Sequence, residues 1–571
     1  MLSLLRSFKR IQRTQQIAQI SLLCRGKPIS REELFAYTNG HFLVNEQRQL
    51  DRRYLEFDLG TLCDVAASAG GDSSHIVTIE KLEGGFSKAL LMKKENGKEV
   101  IAKLPCRIAG PTSLTTACEV GVLEYLRKYT SIPAPRVFSW SSDDSNPVGA
   151  EYVIMEKVTG VPLCEQWGKM AEIDKLELIR NLTKLEAQLA AIRFSAYGGL
   201  YRRADVSRLQ CQELGGSIDP FNMFCVGPSC DRSFSTDSTA DLSTRSGDLG
   251  DLGQGPSVST PGYAIHSESQ TNHRTGNTVA DLGKSIAMRE LYQISSKHPN
   301  DKQPTSGRAS IQEQTQLLEY VIGLMQMLDS NPLLSQSAQP TLWHSDLHMG
   351  NIFVSPDESS RIVSLIDFQS LSILPFFLQA QWPVFLKPPQ NYIEGLVQPE
   401  LPGDFSELDE EGKTTALQEL SQSKLAKAYE VATFLENRVA HNAMHIPRVF
   451  RELFIRCGEV SEVGVVPLRE CLIEIFRNWS SLGFTGQCPY SFCDEEIATH
   501  EHQFSEYQAW NEVQRLAQEC LDTDAEGWIA PQLNIEEKRR QNRELLSLYI
   551  KRMAGEKSPD EARAMWPFPG S

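Results

Sequence analysis

Two short apolar runs that flank a polar turn, with acidic and amide side chains at their open end, constrain the fold of this 571-residue chain most strongly. The runs Ile352–Ser355 and Ile362–Ile366 predict an antiparallel hairpin. In the register that matches its ends, Asn351 faces Asp367, and cross-strand neighbours lie about 5 Å apart. Asp346 lies just upstream, on the connecting loop. The pattern therefore predicts two oxygen ligands side by side, with a third carboxylate close by.

Oxygen ligands of this kind indicate a magnesium site. Mg²⁺ is held by one or two protein carboxylates and completes its shell with phosphates and water. We expect Asn351 and Asp367 to hold the metal, and Asp346 to orient an attacking hydroxyl or accept its proton. The alternative is a hairpin loop whose polar groups are merely solvated.

The same segment resembles the Brenner motif and metal-binding aspartate of the aminoglycoside phosphotransferase superfamily, which shares the eukaryotic protein-kinase fold. The matching residues are His344, Asp346, His348, Gly350, Asn351 and Asp367. The chain departs from the family pattern at Ser345 and Met349, which leaves the charged groups intact. Gln369 stands where protein kinases have the glycine of Asp-Phe-Gly, which favours a branch similar to small-molecule kinases.

Residues 76–155 favour strands divided by Gly-containing turns, with one helix predicted over 113–129. Within them, Glu99–Lys103 resembles the family strand that ends in a phosphate-binding lysine. Glu119 lies on the apolar face of the following helix, where a carboxylate needs a partner. Lys103 is the natural partner, and the pair would hold the lysine toward the α- and β-phosphates of a nucleotide. An exposed Glu119 at the helix edge is the alternative.

Two further segments of this region are candidates for nucleotide binding. Gly84 and Gly85 form a turn between two predicted strands, and their backbone N–H groups, with the Ser87 hydroxyl, could cover phosphates. Any hairpin can use a Gly-Gly turn, so this signal is weak without its position ahead of the lysine. Glu156 and Val158, after a short predicted strand, resemble the hinge that binds adenine through backbone groups.

A strand-rich region followed by a long helical one predicts an α+β fold of two lobes with a cleft between them, similar to that of protein kinases. We place the antiparallel-sheet, nucleotide-binding lobe at 50–157 and the larger helical lobe, which carries the catalytic loop, at 158–571. Helical periodicity marks 174–192, 311–328, 416–442, 467–482 and 501–521. Residues 228–283 read as a disordered, low-complexity insertion, since Ser, Thr, Gly, Asp and Pro fill 23 of the 32 positions from 231 to 262.

The amino terminus differs in composition from the rest. Residues 1–31 carry seven basic side chains and no acid, on a partly amphipathic helical pattern. Such a start is typical of a mitochondrial transit peptide, which we place at 1–35. A disordered basic tail on a cytoplasmic protein is the alternative.

The overall charge and the cysteine content limit which partners and which cellular compartment are plausible for this chain. The formal net charge is −16, which disfavours nucleic acid as a partner, and we find no apolar run long enough to span a bilayer. The thirteen cysteines are scattered and odd in number, which favours reduced thiols over a secreted disulfide framework.

The full set of segments is similar to the fungal family named altered inheritance of mitochondria protein 9. That resemblance spans about 50–570, agrees with a mitochondrial location and names no substrate. It implies an ATP- and Mg²⁺-dependent phosphotransferase that acts on an alcohol group of a small molecule. The alternative is a catalytically silent kinase-fold protein that binds nucleotide or acts as a scaffold in mitochondria.

Overall fold

The computed structural model describes residues 20–206, 211–232, 276–296 and 310–570. Its first lobe is built on a seven-stranded sheet with the order β2-β1-β4-β5-β6-β8-β7. The strands are Ser21–Cys24 (β1), Lys27–Pro28 (β2), Ile76–Glu83 (β4), Ser87–Lys94 (β5), Glu99–Pro105 (β6), Val137–Ser141 (β7) and Tyr152–Glu156 (β8). β1 runs parallel to β4, and the other neighbours are antiparallel. The region 76–155, which the sequence predicted to favour strands, contains β4, β5, β6, β7 and β8.

The alternation of side chains along these strands builds two different faces. Leu90, Met92 and other outward residues form a core with the helices Arg31–Phe35 and Leu59–Ser68. The opposite face, which includes Ile101, packs against the helix Leu114–Tyr129 and lines the cleft. Because both faces are covered, polar side chains on either face need partners.

Buried lysines on the outward face bind the carbonyl groups at helix ends. Lys81 Nζ donates to the carbonyls of Glu33 (2.8 Å) and Ala36 (2.6 Å), at the carboxyl end of the helix Arg31–Phe35. Lys88 Nζ donates to the same Ala36 oxygen at 3.0 Å. The Glu83 carboxylate forms ion pairs with both ammonium groups, at 2.6 Å from Lys88 Nζ and 3.0 Å from Lys81 Nζ. A cation at a helix carboxyl end is favoured by the helix dipole, so this cluster fixes the amino-terminal segment on the sheet.

The second lobe is mainly helical. Its longer helices are Glu172–Ala191, Val279–Ser296, Ile311–Leu328, Glu410–Glu436, Arg438–Met444, Arg448–Cys457, Val466–Arg477, Asp494–Leu521, Ile535–Arg552 and Pro559–Met565. Shorter ones are Leu163–Gln166, Phe376–Gln379 and Val460–Val463. Among these described residues, no helix is both long and apolar enough to cross a bilayer.

Small sheets join the helices. Gly199–Arg202 (β10), Gln212–Glu213 (β11) and Phe224–Gly227 (β12) form one, and Pro340–Leu342 (β13) pairs with Ile373–Pro375 (β16). Val161–Pro162 (β9), Ile352–Val354 (β14) and Ile362–Leu365 (β15) form another. The sequence predicted only the β14–β15 hairpin in this lobe, because strands of two to four residues carry too little periodicity to recognise.

Three predicted boundaries need correction. The helix predicted over 416–442 is two helices, because Asn437 leaves the helical conformation (φ −141°, ψ 65°) and its side chain accepts a hydrogen bond from Ala440 N, which caps the second helix. The predicted leader of 1–35 overlaps ordered structure at β1 and in the following helix, while residues 1–19 lie outside the described part. The insertion predicted at 228–283 has structured ends, and its residues 233–275 also lie outside the described part.

The two ends of the described chain meet at the first lobe. Trp528–Ile529 (β17) pairs antiparallel with His41–Phe42 (β3). Arg53, which is 2% exposed, donates to Glu526 at 2.8 Å and to the carbonyl of Gly85 at 3.1 Å. The carboxy-terminal segment therefore supports the glycine turn through a single buried guanidinium.

All thirteen cysteines lie within the described residues, and none of them forms a disulfide bond. The structure thus agrees with the reduced thiols expected from their number and spacing.

We expect Glu83→Gln to lower the free energy of unfolding by about 3 kcal/mol, because two buried lysines would lose their shared counter-charge. Urea and thermal unfolding of the purified protein measure this. The control is Glu95→Gln, an exposed carboxylate on the β5–β6 turn, for which the change should stay within about 0.5 kcal/mol. Equal effects of the two substitutions would contradict the role given to Glu83.

Candidate active site

A cleft of about 750 Å³ lies between the lobes. Leu82, Ala89 and Ile101 line it from the sheet, and Phe353 and Ile366 line it from the second lobe. These apolar side chains face each other across a gap suited to a flat, apolar ring. The polar end of the same cleft is built by the residues singled out from the sequence.

The hairpin predicted at 352–366 forms, but with a register one residue away from the predicted one. Ile352 pairs with Leu365, and Ile366 N donates to the Asn351 carbonyl at 3.0 Å. A bulge between Phe353 and Val354 shifts the pairing further. Asn351 therefore faces Ile366 and not Asp367, since an irregular turn end cannot be read from apolar periodicity alone. Asp367 follows as the first residue beyond the pairing.

Asp367 reaches the cleft through its backbone conformation. Its φ is +64°, a left-handed conformation that Asp adopts more readily than most residues. His344 Nε2 donates to the carbonyl of the preceding Ile366 at 2.9 Å, and its ring lies 4.8 Å from that of Phe368. Burial lowers the pKa of His344 and keeps it neutral, which matches a donor Nε2–H. His344 therefore fixes the peptide on which Asp367 is mounted.

Lys103 brings both predicted carboxylates together. Its Nζ lies 2.6 Å from Glu119 Oε1 and 2.7 Å from Asp367 Oδ1. Lys103 and Glu119 are buried, whereas the Asp367 side chain is 39% exposed toward the cleft. The predicted pairing of Lys103 with Glu119 is present in the structure, and the exposed-edge alternative for Glu119 is not.

The charges in this group are unbalanced. Burial would lower the pKa of Lys103, but Asp367 and Glu119 raise it above its usual value, so the ammonium stays charged. Burial would raise the pKa of Asp367, yet the neighbouring Lys103 ammonium lowers it overall. Burial raises the pKa of Glu119 against the opposing effect of Lys103. Two carboxylates therefore share the Lys103 ammonium, and Asp367 is the one whose side chain is partly exposed to the cleft.

Asn351 and Asp346 are joined through the catalytic loop. Asn351 Nδ2 donates to the Asp346 carbonyl at 3.0 Å, so the Asn351 Oδ1 atom is the one that remains for a metal ion. Asn351 and Asp367 both line the cleft. The Asp346 side chain is exposed beside it. The structure thus brings Lys103, Glu119, Asn351, Asp367 and Asp346 into one neighbourhood.

The glycine turn covers one wall of the cleft. Gly84 N donates to Ser87 O at 3.1 Å within the turn, and Gly84 and Ser87 line the cleft. Gly85 is held from behind by Arg53. Among the hydrogen bonds of the described residues, none uses the N–H groups of Gly85 or Phe86. Phosphate binding by Gly84, Gly85 and Ser87 stays a prediction, and the backbone donors left for it are those two.

The predicted hinge also lies at the cleft. Glu156 and Val158 both line it, after the end of β8. The Glu156 N–H is already bonded to the Arg136 carbonyl at 2.8 Å. The Glu156 carbonyl and the Val158 N–H are the groups left for adenine, and their role stays a prediction.

The sequence missed one cationic side chain at the site. The Arg232 guanidinium carbon lies 3.5 Å from the ring centre of Phe86, on the glycine turn. Arg232 stands at the border of the stretch read as disordered, which hid it. The apolar strand Phe224–Gly227, which ends shortly before, was the available signal that the chain is still anchored there.

A second cluster of potential metal ligands lies in the helical lobe. One ligand atom each from Glu430, His441 and His445 lies within 4.8 Å of the others. The Glu430 carboxylate already accepts hydrogen bonds from Gly395 N at 2.6 Å and from Lys427 Nζ at 2.7 Å. Lys427 therefore supplies the positive charge at this carboxylate. The cluster therefore fits a structural role for the two histidines.

A buried lysine pairs with a helix glutamate and with an aspartate that follows a hairpin, and an asparagine precedes that hairpin, in a cleft between a sheet lobe and a helical lobe. This arrangement defines an α+β protein with a two-lobed, protein-kinase-like fold. No family model matches the chain. It is 33% identical over 488 residues to a subtelomeric hrmA-associated cluster protein of Aspergillus fumigatus, covering 81% of this chain and 91% of that protein.

The chain belongs to the family of that Aspergillus fumigatus protein, and it is also similar to fungal proteins named altered inheritance of mitochondria protein 9. The Yarrowia lipolytica protein of the latter name is 20% identical over 535 residues, 88% of this chain and 85% of that protein. The Candida tropicalis protein is 24% identical over 434 residues, 68% and 66% of the respective lengths. Both are named as mitochondrial, which confirms the predicted mitochondrial location. The leader predicted at 1–35 stays a prediction, and its residues 1–19 lie outside the described residues.

Solved structures with overall likeness include a streptomycin–ATP–APH(2'')-IIa ternary complex, with a TM-score of 0.31, 15% identity and coverage of 72% of this chain and 94% of that one. Another is the macrolide 2'-phosphotransferase MphH of Brachybacterium faecium, with a TM-score of 0.28, 12% identity and coverage of 71% and 98%. Scores this low carry no argument about activity, which has to come from the geometry of the site.

We expect Lys103→Met to destabilise the protein by about 3–5 kcal/mol at neutral pH, because it leaves Glu119 buried without a counter-charge. The sign of the pH dependence follows from Glu119. Its folded pKa lies above the unfolded value of about 4.3, so its contribution is full below that pH and is lost as pH rises. The loss should grow as the pH rises above that unfolded value, by at most about 1.4 kcal/mol per pH unit for one proton.

Urea unfolding at several pH values measures this effect. Lys98→Met is the matched control, since the Lys98 side chain is 57% exposed on a turn. Its effect should be small and independent of pH. A constant destabilisation by Lys103→Met across this range would contradict the buried charge of Glu119.

Proposed function

We propose that this protein is a phosphotransferase that uses ATP and Mg²⁺ to phosphorylate a hydroxyl group of a small molecule in mitochondria. The observation that carries the proposal is the lysine shared by two carboxylates, Lys103 with Glu119 and Asp367, at the polar end of an apolar cleft. A purely structural ion pair would need one carboxylate, not a second one that is partly open to the cleft.

The residues present fit a nucleotide with its metal. The apolar walls and the free hinge groups suit an adenine ring, and the Gly85 and Phe86 amides with Lys103 suit phosphates. Asp367 and the Asn351 Oδ1 atom offer hard oxygen ligands where the carboxylates exceed the positive charge. When bound, Mg²⁺ would neutralise charge on the phosphate oxygens.

The roles of the chain's own residues follow from their positions. Lys103, oriented by Glu119, binds the phosphates of the nucleotide, and Asp346 holds the acceptor hydroxyl and takes its proton. In the transfer, the bond from the terminal phosphorus to the bridging oxygen breaks and the nucleoside diphosphate leaves with that electron pair. A new bond forms from the phosphorus to the acceptor oxygen, and the hydroxyl proton passes to the Asp346 carboxylate.

Calorimetric titration of ATP, with and without Mg²⁺, tests the binding half of the proposal. We expect the unmutated protein to bind ATP more tightly with Mg²⁺, and Asp367→Ala to abolish that increment, because it removes the only carboxylate among the two proposed metal ligands. The control is Asp357→Asn, an exposed carboxyl on the turn of the same hairpin, which should bind normally. If the unmutated protein binds no ATP, the proposal fails.

A screen of mitochondrial metabolites for ATP-dependent phosphorylation tests the transfer half. Asp346→Asn should keep nucleotide binding, because it alters neither Lys103 nor the metal ligands. Its turnover should fall by about 10²–10⁴, the range for removal of a general base. Tight Mg²⁺–ATP binding with no acceptor found, and no ATP hydrolysis, would favour a nucleotide-binding scaffold over an enzyme.

A further inference from the structure

Arg232 lies at the candidate site, and no comparison or motif gives it a role; the role argued below rests on the proposed function. Arg232 belongs to the short segment that follows β12. This segment is tied to the chain just beyond Asp367: Cys230 Sγ donates to the Leu371 carbonyl at 3.1 Å, and the Ser229 and Ser372 hydroxyls lie 3.1 Å apart. All of these groups are buried. The arginine is therefore mounted on a fixed base beside the proposed metal ligand.

The packing of the segment is close on its other side as well. Gly110 has φ +147°, and a Cβ at that position would lie 3.1 Å from the Cys230 carbonyl and 2.6 Å from Thr115 Oγ1. A side chain at Gly110 would thus push the segment away from the site. The glycine allows the backbone before Arg232 to approach the start of the helix that carries Glu119.

The Arg232 side chain has charge neighbours but no hydrogen-bonded partner at its Nε. The carboxylates with the largest electrostatic effect on its pKa are Asp367 and Asp346, followed by Asp231 and Glu526. Burial nevertheless holds the pKa of Arg232 below its usual value. Its Nε is buried without a hydrogen bond, and the guanidinium forms no ion pair with any described carboxylate. A desolvated guanidinium with an unused donor is costly, so its partner is expected to come from outside the chain.

The position of the guanidinium identifies the chemistry of that partner. It lies over Phe86 of the glycine turn and in the field of Asp367 and Asp346. Under the proposed function, the group between the metal-binding carboxylate and the acceptor-binding carboxylate is the terminal phosphoryl of the nucleotide. A guanidinium fork matches phosphate oxygens in geometry and charge.

We propose that Arg232 binds the oxygens of the transferred phosphoryl group and that Phe86 holds the guanidinium in place by stacking. Arg232 thereby contributes positive charge where the transfer concentrates negative charge. The stacking joins the arginine to the glycine turn, so the two cover the phosphate together.

The test compares two nucleotides that differ in that group. Calorimetry with Mg²⁺ measures the affinity of the protein for the non-hydrolysable analogue adenylyl imidodiphosphate and for ADP. Arg232→Ala should lower the affinity for the analogue by about tenfold to a hundredfold, because a charge-assisted contact is lost. It should change the affinity for ADP by less than about twofold. Arg232→Lys keeps the charge without the planar fork. It should lower the affinity for the analogue by an intermediate amount and leave the affinity for ADP unchanged.

The matched control is Arg203→Ala, directly after β10, where Arg203 pairs with Glu213. It should leave both affinities unchanged. Phe86→Leu keeps apolar bulk and removes the ring, so it should reproduce part of the Arg232→Lys effect.

Each outcome decides a separate point. If the unmutated protein binds neither nucleotide, the proposed function itself fails. If it binds both, and the Arg232 variants weaken the two equally or not at all, the inference is overturned while the proposed function stands. Tighter analogue binding by Arg232→Ala would also overturn it, because Arg232 would then obstruct the site. Should Arg232→Ala fail to fold, the selective loss in Arg232→Lys decides in its place.

Discussion

The Nζ atom of Lys103 is the point at which the two lobes become one site. It bonds to Glu119 on the helix Leu114–Tyr129 and to Asp367 beyond the hairpin of the second lobe, 264 residues away in sequence. These contacts set the sheet, the helix and the hairpin relative to one another. They also concentrate two carboxylates on one cation, which costs folding free energy unless another cation is shared. An additional cation at the polar end of the cleft would offset that cost.

Much of this site could be predicted because many of its residues lie close together in the sequence, in short recognisable patterns. The hairpin and its flanking His344, Asp346 and Asn351 lie within one stretch of the chain, and residue identity alone indicates their role. The pairing of Lys103 with Glu119 followed from a simple rule, that a carboxylate on an apolar helix face needs a partner. The strands β4, β5, β6 and β8 followed from alternation between turn-forming glycines.

What the sequence did not reveal depends on contacts between distant segments. Lys94 is fully buried and donates to the carbonyls of Ala67 (3.0 Å) and Ala69 (2.5 Å), at the end of the helix Leu59–Ser68. In a strand pattern such a lysine looks solvent-exposed, so the amino-terminal helices it fixes could not be foreseen. The same holds for β1, whose basic surroundings resemble a leader, and for Arg232, whose surroundings resemble a linker. The hairpin register was missed by one residue because a bulge leaves no trace in apolar periodicity.

The contact between Arg53 and Glu526 spans 473 residues, and it has a consequence for the order in which the protein is made. A chain leaves the ribosome from its amino terminus, so the glycine turn and Arg53 emerge long before Glu526 and β17 exist. Loop closure over such a separation is slow, and native contacts of this kind form late. During synthesis the first lobe can complete its sheet, but its phosphate-facing turn remains without its last anchor. A chain cut short near its end would therefore keep every residue of the proposed catalytic centre and still lack the support of the turn that covers it.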